Sequence, residues 1–171
     1  MTQVKLYQDI DACINAEMPQ GWGKLKEAKV AVSSGHTALT EGFTFKIRWA
    51  PAMIEKLASL DLDLVWTTTW QHDAALGVGP VIGWGEDARY LAPLDGVVSF
   101  PTILWKLEAV VHDLEENPGP FVWIDDEIED YELVKDIIKD YGGLLIAPNA
   151  FTGISTKDIE QIEQYLAVLE D

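Results

Sequence analysis

The sequence predicts an α/β domain whose mostly parallel sheet carries helices on both faces. Three observations carry that expectation. Short apolar runs alternate with stretches that repeat apolar residues at helical spacing, and parallel neighbours need such crossover connections. Two runs, Phe121-Val122-Trp123-Ile124 and Leu144-Leu145-Ile146-Ala147, are apolar throughout, as in strands covered on both faces. Three runs end abruptly in polar clusters: Asp9 with Asp11, Thr67 to Thr69, and Asp125 with Asp126. Open α/β sheets bind ligands beyond the carboxyl ends of their strands, so these clusters mark a candidate edge.

Each element follows from local chemistry. Residues 4–9 form a short β-prone run closed by acidic residues, the first strand. Residues 16–50 read as a small hairpin-like flap, with Gly, Ser, Thr and Lys around two short strands at 30–32 and 43–47. Pro51 opens a helix with Ile54, Leu57 and Leu60 at helical spacing, because proline's missing N–H costs nothing in a first turn. Residues 62–66 are the next strand. The Gly-rich segment 77–96 reads as loop with a brief strand near Val81 and Ile82. After Pro101, the residues Ile103, Leu107, Val110 and Leu114 give the clearest helix, ended by Asn117-Pro118-Gly119. A helix carrying Leu133, Val134, Ile137, Ile138 and Tyr141 follows the 121–124 strand and stops at Gly142-Gly143. Ser155 and Asp158 form a capping box that opens a last helix, with Ile159, Ile162, Leu166 and Leu169 inward. No repeat or linker divides residues 1–171, so a single domain is expected.

Composition narrows the partners. The 171 residues hold 12 basic and 29 acidic side chains, a formal charge of −17, which repels phosphate backbones and anionic lipid. Lys24, Lys26, Lys29, Lys46 and Arg48 gather in and around the flap and keep a local anion-binding patch open. The one cysteine, Cys13, cannot form an internal disulfide or a thiolate zinc site, which fits a reducing compartment. No apolar run approaches the ~20 residues of a membrane span, and the N-terminus lacks a signal peptide's apolar core. A cytoplasmic protein without membrane contact is expected.

Acidic pairs alone carry little weight: chance gives about five at this composition, and the sequence holds six. Position separates them. Glu115-Glu116 falls at a helix end, whereas Asp125-Asp126 follows four apolar residues. Carboxylates gathered at one sheet edge repel each other unless a hard cation such as Mg²⁺ joins them, and a solvated acidic rim is the competing reading.

In this order the clusters resemble the haloacid dehalogenase (HAD) superfamily of hydrolases. The matching elements are Asp9-Ile10-Asp11 after the first strand, Thr67-Thr68 after the second, Lys106 on a helix, and Asp125-Asp126 after a later strand. The resemblance implies a Rossmann-like (HAD-like) sheet with a small flap insertion after the first strand. It also implies a Mg²⁺-dependent phosphohydrolase acting on a phosphomonoester, with a small molecule, a nucleotide or a nucleic-acid end as substrate. Asp9 would be the nucleophile that becomes an aspartyl-phosphate, and Asp11 the general acid and base. Thr68, with Thr67 as runner-up, would hold the phosphoryl oxygens, and Lys106 would neutralise their charge. Asp9, Asp11, Asp125 and Asp126 would form the Mg²⁺ site, Asp11 through its backbone carbonyl. The fuller family motif continues with Gly-Thr where this chain has Ala12-Cys13. A catalytically weakened relative that binds a partner through its acidic surface is the alternative.

Other residues read more plainly. Lys106 falls at the solvent-side boundary of its helix pattern, where a lysine is ordinarily a surface charge. Trp66, Trp105 and Trp123 are expected in the core, while Trp49, Trp70 and Trp84 fall near loops at the candidate edge. His36, His72 and Asp73 fit no metal-ligand spacing. Carboxylates around Cys13 raise a thiol's pKa and make it a poor nucleophile.

Overall fold

The computed structural model describes residues 3–33 and 43–170. Five strands form one parallel sheet: β1 (Lys5–Gln8), β4 (Asp63–Trp66), β5 (Arg89–Tyr90), β6 (Phe121–Ile124) and β7 (Leu144–Ile146), in the order β5-β4-β1-β6-β7. Two more strands, β2 (Lys26–Ala31) and β3 (Thr44–Trp49), pair antiparallel as a separate hairpin after β1. Five helices accompany them among the described residues: α1 (Pro51–Ser59), α2 (Gly79–Ile82), α3 (Thr102–Glu116), α4 (Glu132–Lys139) and α5 (Thr156–Glu170). None is long and apolar enough to cross a membrane.

Alternation along β6 shows why the sheet is covered twice. Val122 and Ile124 join Leu6, Leu64 and Trp66 against Met53 and Leu57 of α1 and Ile159 and Ile162 of α5. Phe121 and Trp123 join Tyr7 and Val65 on the opposite face, against Ile103, Leu107 and Val110 of α3 and Val134 and Ile138 of α4. Each fully buried large apolar side chain contributes roughly 1.5–3 kcal/mol, so a continuously apolar strand makes both interfaces at once. The α5 capping box forms as the sequence indicates: Ser155 N–H donates to Asp158 Oδ2 at 2.7 Å, and Asp158 N–H donates to Ser155 Oγ at 3.2 Å.

Several expectations are corrected. Residues 74–82 are helical rather than loop, a wide-turned segment (Ala74–Val78) running into α2, so no strand forms at Val81 and Ile82. Pro80 sits in the first turn of α2, where it needs no N–H partner. The extra strand lies further on at β5, two residues long and paired with Val65 and Trp66. On α4, Val134 and Ile138 are buried four residues apart, but Leu133 and Ile137 face solvent, as does Leu169 on α5. In the hairpin, Val30, Ile47 and Trp49 turn inward, while Glu27 pairs with Lys46 at 3.2 Å and with Arg48. Two of the five basic residues around the expected flap thus share one carboxylate. Residues 34–42 of that flap, His36 included, lie outside the described residues.

Candidate active site

Register brings three strand ends together. Gln8 lies opposite Trp66 on one side and Ile124 on the other, so Asp9, Thr67 and Asp125 leave the sheet at one level. Their N–H groups still donate across the sheet, Asp9 to Ile124 at 3.0 Å, Thr67 to Gln8 at 2.9 Å and Asp125 to Ile146 at 3.1 Å. The backbone thus fixes these positions before any side chain contributes.

Lys106 bridges two of the strand ends. It starts the second turn of α3, and its Nζ donates to Asp9 Oδ2 at 2.9 Å and to Asp125 Oδ2 at 2.7 Å. It is 2% exposed, which corrects the expectation of a surface charge. Burial works against the ammonium, but the Asp9 and Asp125 carboxylates outweigh it and hold its pKa above the ordinary lysine value. Two carboxylates share this one cation. Asp125 accordingly titrates above the usual carboxylate range, raised first by burial and then by the Asp9 charge, with Lys106 opposing. Asp9 Oδ1 accepts Ile10 N–H at 2.8 Å, and Asp125 Oδ1 accepts Glu127 N–H at 3.0 Å.

The loop after Asp9 is wound tightly. Ile10 C=O accepts N–H groups from Cys13, Ile14 and Asn15, and Ala12 takes a left-handed φ of 62° where the family motif has glycine. Asp11 is held on the wall of the site by Trp70 Nε1 at 2.9 Å and Asn15 Nδ2 at 2.8 Å. Burial, then Asp9, raises its pKa, and those two hydrogen bonds pull it down. Across the loop, Gly153 lies so close that an added Cβ would stand 2.4 Å from Cys13 O.

A cavity of about 590 Å³ opens over this edge. Asp9, Asp11, Lys106 and Asp126 contribute to its wall, with Thr69, Phe45, Trp70 and Phe100. Of the three threonines, Thr69 is the one on the wall. Thr67 is buried and donates to Val65 O at 3.1 Å; Thr68 is buried and its Oγ1 accepts Trp70 N–H at 3.4 Å. Asp9, Cys13 and Asp126 offer ligand atoms within 4.8 Å of one another. The oxygens of Asp9 and Asp126 suit a hard cation that completes its shell with water. The Cys13 thiol does not: burial, then the surrounding aspartates, pushes its pKa well up and keeps it protonated. Burial and the Asp9 charge push Asp126 up to about 6, the strain a cation at this point would relieve. Asp125, by contrast, spends its two oxygens on Lys106 and Glu127.

Sequence reasoning did not single out Phe45, Phe100, Asn15 or Glu127, and within the threonine cluster it favoured Thr68 and Thr67 over Thr69. An exposed phenylalanine or an isolated polar residue carries no spacing signal, so only the fold could place them. Trp66, Trp105 and Trp123 are buried as expected, and Trp84 packs edge to face on Trp66 at 5.6 Å. His72 and Asp73 form no metal cluster among the described residues; Asp73 instead accepts Ser33 N–H at 3.2 Å and pins the hairpin's end.

No family model, no curated protein and no solved structure matches this chain. The resemblance to the HAD hydrolases therefore rests on the four motifs. Fold and site together define a three-layer α/β protein with a lysine-bridged carboxylate pair at the carboxyl edge of its sheet.

Proposed function

We propose that the protein is a Mg²⁺-dependent phosphohydrolase of HAD type that cleaves a phosphomonoester through an aspartyl-phosphate on Asp9. The observation that carries this reading is the buried Lys106 ammonium between Asp9 and Asp125 on the floor of a cavity. In the first step an Asp9 carboxylate oxygen forms a bond to phosphorus and the bond to the leaving oxygen breaks, with Asp11 giving that oxygen a proton. In the second, water passes a proton back to Asp11 and attacks phosphorus, and the bond to Asp9 breaks. Lys106 orients Asp9 and offers positive charge to the phosphoryl oxygens, while Thr69 stands on the wall in reach of the role first given to Thr68. Asp9 and Asp126 would hold the cation, which supplies charge neutralisation for the incoming phosphate. Asp125 would support it through Lys106, and the Asp11 carbonyl would be a further ligand. The β2–β3 hairpin would be the flap. The single buried Cys13 fits a cytoplasmic setting.

The test is turnover of a generic aryl phosphate with and without Mg²⁺. Metal-dependent release of phosphate that Asp9→Asn reduces to background supports the reading. Undiminished turnover by a folded Asp9→Asn protein contradicts it.

A further inference from the structure

The cavity is much larger than a phosphoryl group needs, and its upper wall has a different character from its floor. At about 590 Å³ it falls in the range, roughly 300–1,000 Å³, that encloses a whole small molecule. Phe45 from the hairpin and Phe100 from the segment before α3 both line it, and both are exposed, Phe100 by 81%. Phe45 packs edge to face on Trp70 at 5.7 Å, and Trp70 in turn holds Asp11. An aromatic wall is thus fixed beside the carboxyl that would protonate the leaving oxygen.

Charge limits what that wall accepts. Lys46 and Lys106 are the cations lining the cavity, against Asp9, Asp11, Asp126 and Glu127. Lys106 is committed to two carboxylates on the floor, and Lys46 shares Glu27, at 3.2 Å, with Arg48. Lys46 is half-exposed, and the four carboxylates outnumber the two lysines among the described lining residues, so a second anion meets net negative charge.

From these observations we infer that the substrate is a phosphomonoester whose leaving group is one uncharged, flat aromatic group, seated against Phe45, Trp70 and Phe100, with no further phosphate. This inference rests on the phosphohydrolase reading for the reaction, but recognition is measurable without turnover. Aromatic contacts of this kind are worth roughly two- to tenfold each in affinity, and three rings line this wall.

The experiment is calorimetric titration, in millimolar Mg²⁺, of methylphosphonate, benzylphosphonate and a 5′-phosphorylated oligonucleotide into the full chain. Benzylphosphonate is expected to bind about tenfold or more tightly than methylphosphonate, and the oligonucleotide more weakly than benzylphosphonate. The benzyl-to-methyl ratio should fall toward one in Phe45→Ala and in Phe100→Ala, two exposed positions where truncation spares the core. Equal binding of the two phosphonates, a ratio unmoved in both variants, or preferred binding of the oligonucleotide overturns the inference. Benzyl-selective binding without hydrolysis of any ester would sink the phosphohydrolase reading and leave the recognition site standing.

Discussion

Replacing Lys106 by methionine tests the organisation of the site through stability alone. Methionine keeps most of the side chain's volume, so the change is chiefly electrical. The ammonium is 2% exposed and lies 2.9 Å and 2.7 Å from two buried carboxylates, both of which the substitution strands. Removing one partner of a buried ion pair costs about 3–5 kcal/mol. For a domain of this length that is a fall of roughly 10–15 °C in melting temperature. The loss should depend on pH with a definite sign. Without the lysine, the folded-state pKa of Asp125 rises further above the unfolded value, so the folded variant binds protons more readily than the unfolded chain. Its deficit is then smallest below about pH 8, where Asp125 is protonated in both folded proteins, and widens as pH rises past it. Urea denaturation at about pH 6 and about pH 9.5 measures both quantities. A pH-independent loss below about 1 kcal/mol, the worth of a surface pair, would refute the buried arrangement.

Three further outcomes follow from the same geometry. Asp126→Asn removes a carboxyl whose folded-state pKa is pushed up to about 6, so the wild type loses stability relative to the variant as pH rises from about 4 through 6. The variant should be more stable by about 1 kcal/mol at pH 8, a figure discounted for partial exposure, equal below pH 4, and blind to Mg²⁺ in thermal unfolding. Ala12→Gly relieves a left-handed φ of 62° and should stabilise the fold by up to about 1 kcal/mol in chemical denaturation. Gly153→Ala combines a φ of +68° with a Cβ 2.4 Å from Cys13 O, and should cost about 2–4 kcal/mol while displacing the Asp9 loop.

The strands and their polar ends were legible because burial on both faces writes itself into sequence as unbroken apolar runs. Phe121–Ile124 and its neighbours placed Asp9 and Asp125 at one edge, and the register does so. Lys106 was legible only through the resemblance, which sets it in order with the other three motifs. Helix periodicity places a lysine at a solvent boundary, and only two carboxylates brought in from other strands, 97 and 19 residues away, can offset its desolvation. The 74–82 helical segment hid behind Gly77, Gly79 and Pro80, whose weak intrinsic preference is overridden by burial of Ala74, Val78 and Ile82. β5 spans two residues and owes its pairing to β4, so no local alternation announces it. The aromatic wall was invisible for the same reason: Phe45 and Phe100 line one cavity only in three dimensions.

The most direct test of the central claim is chemical trapping of the intermediate. The protein is mixed with an aromatic phosphomonoester and Mg²⁺, quenched with borohydride, and mapped by mass spectrometry. Reduction of an acyl phosphate converts the aspartate that carried it to homoserine. The proposed mechanism predicts that residue 9 alone is converted, and only with substrate and Mg²⁺ present. Turnover that leaves Asp9 unmodified, or conversion of another carboxylate in its place, would contradict it.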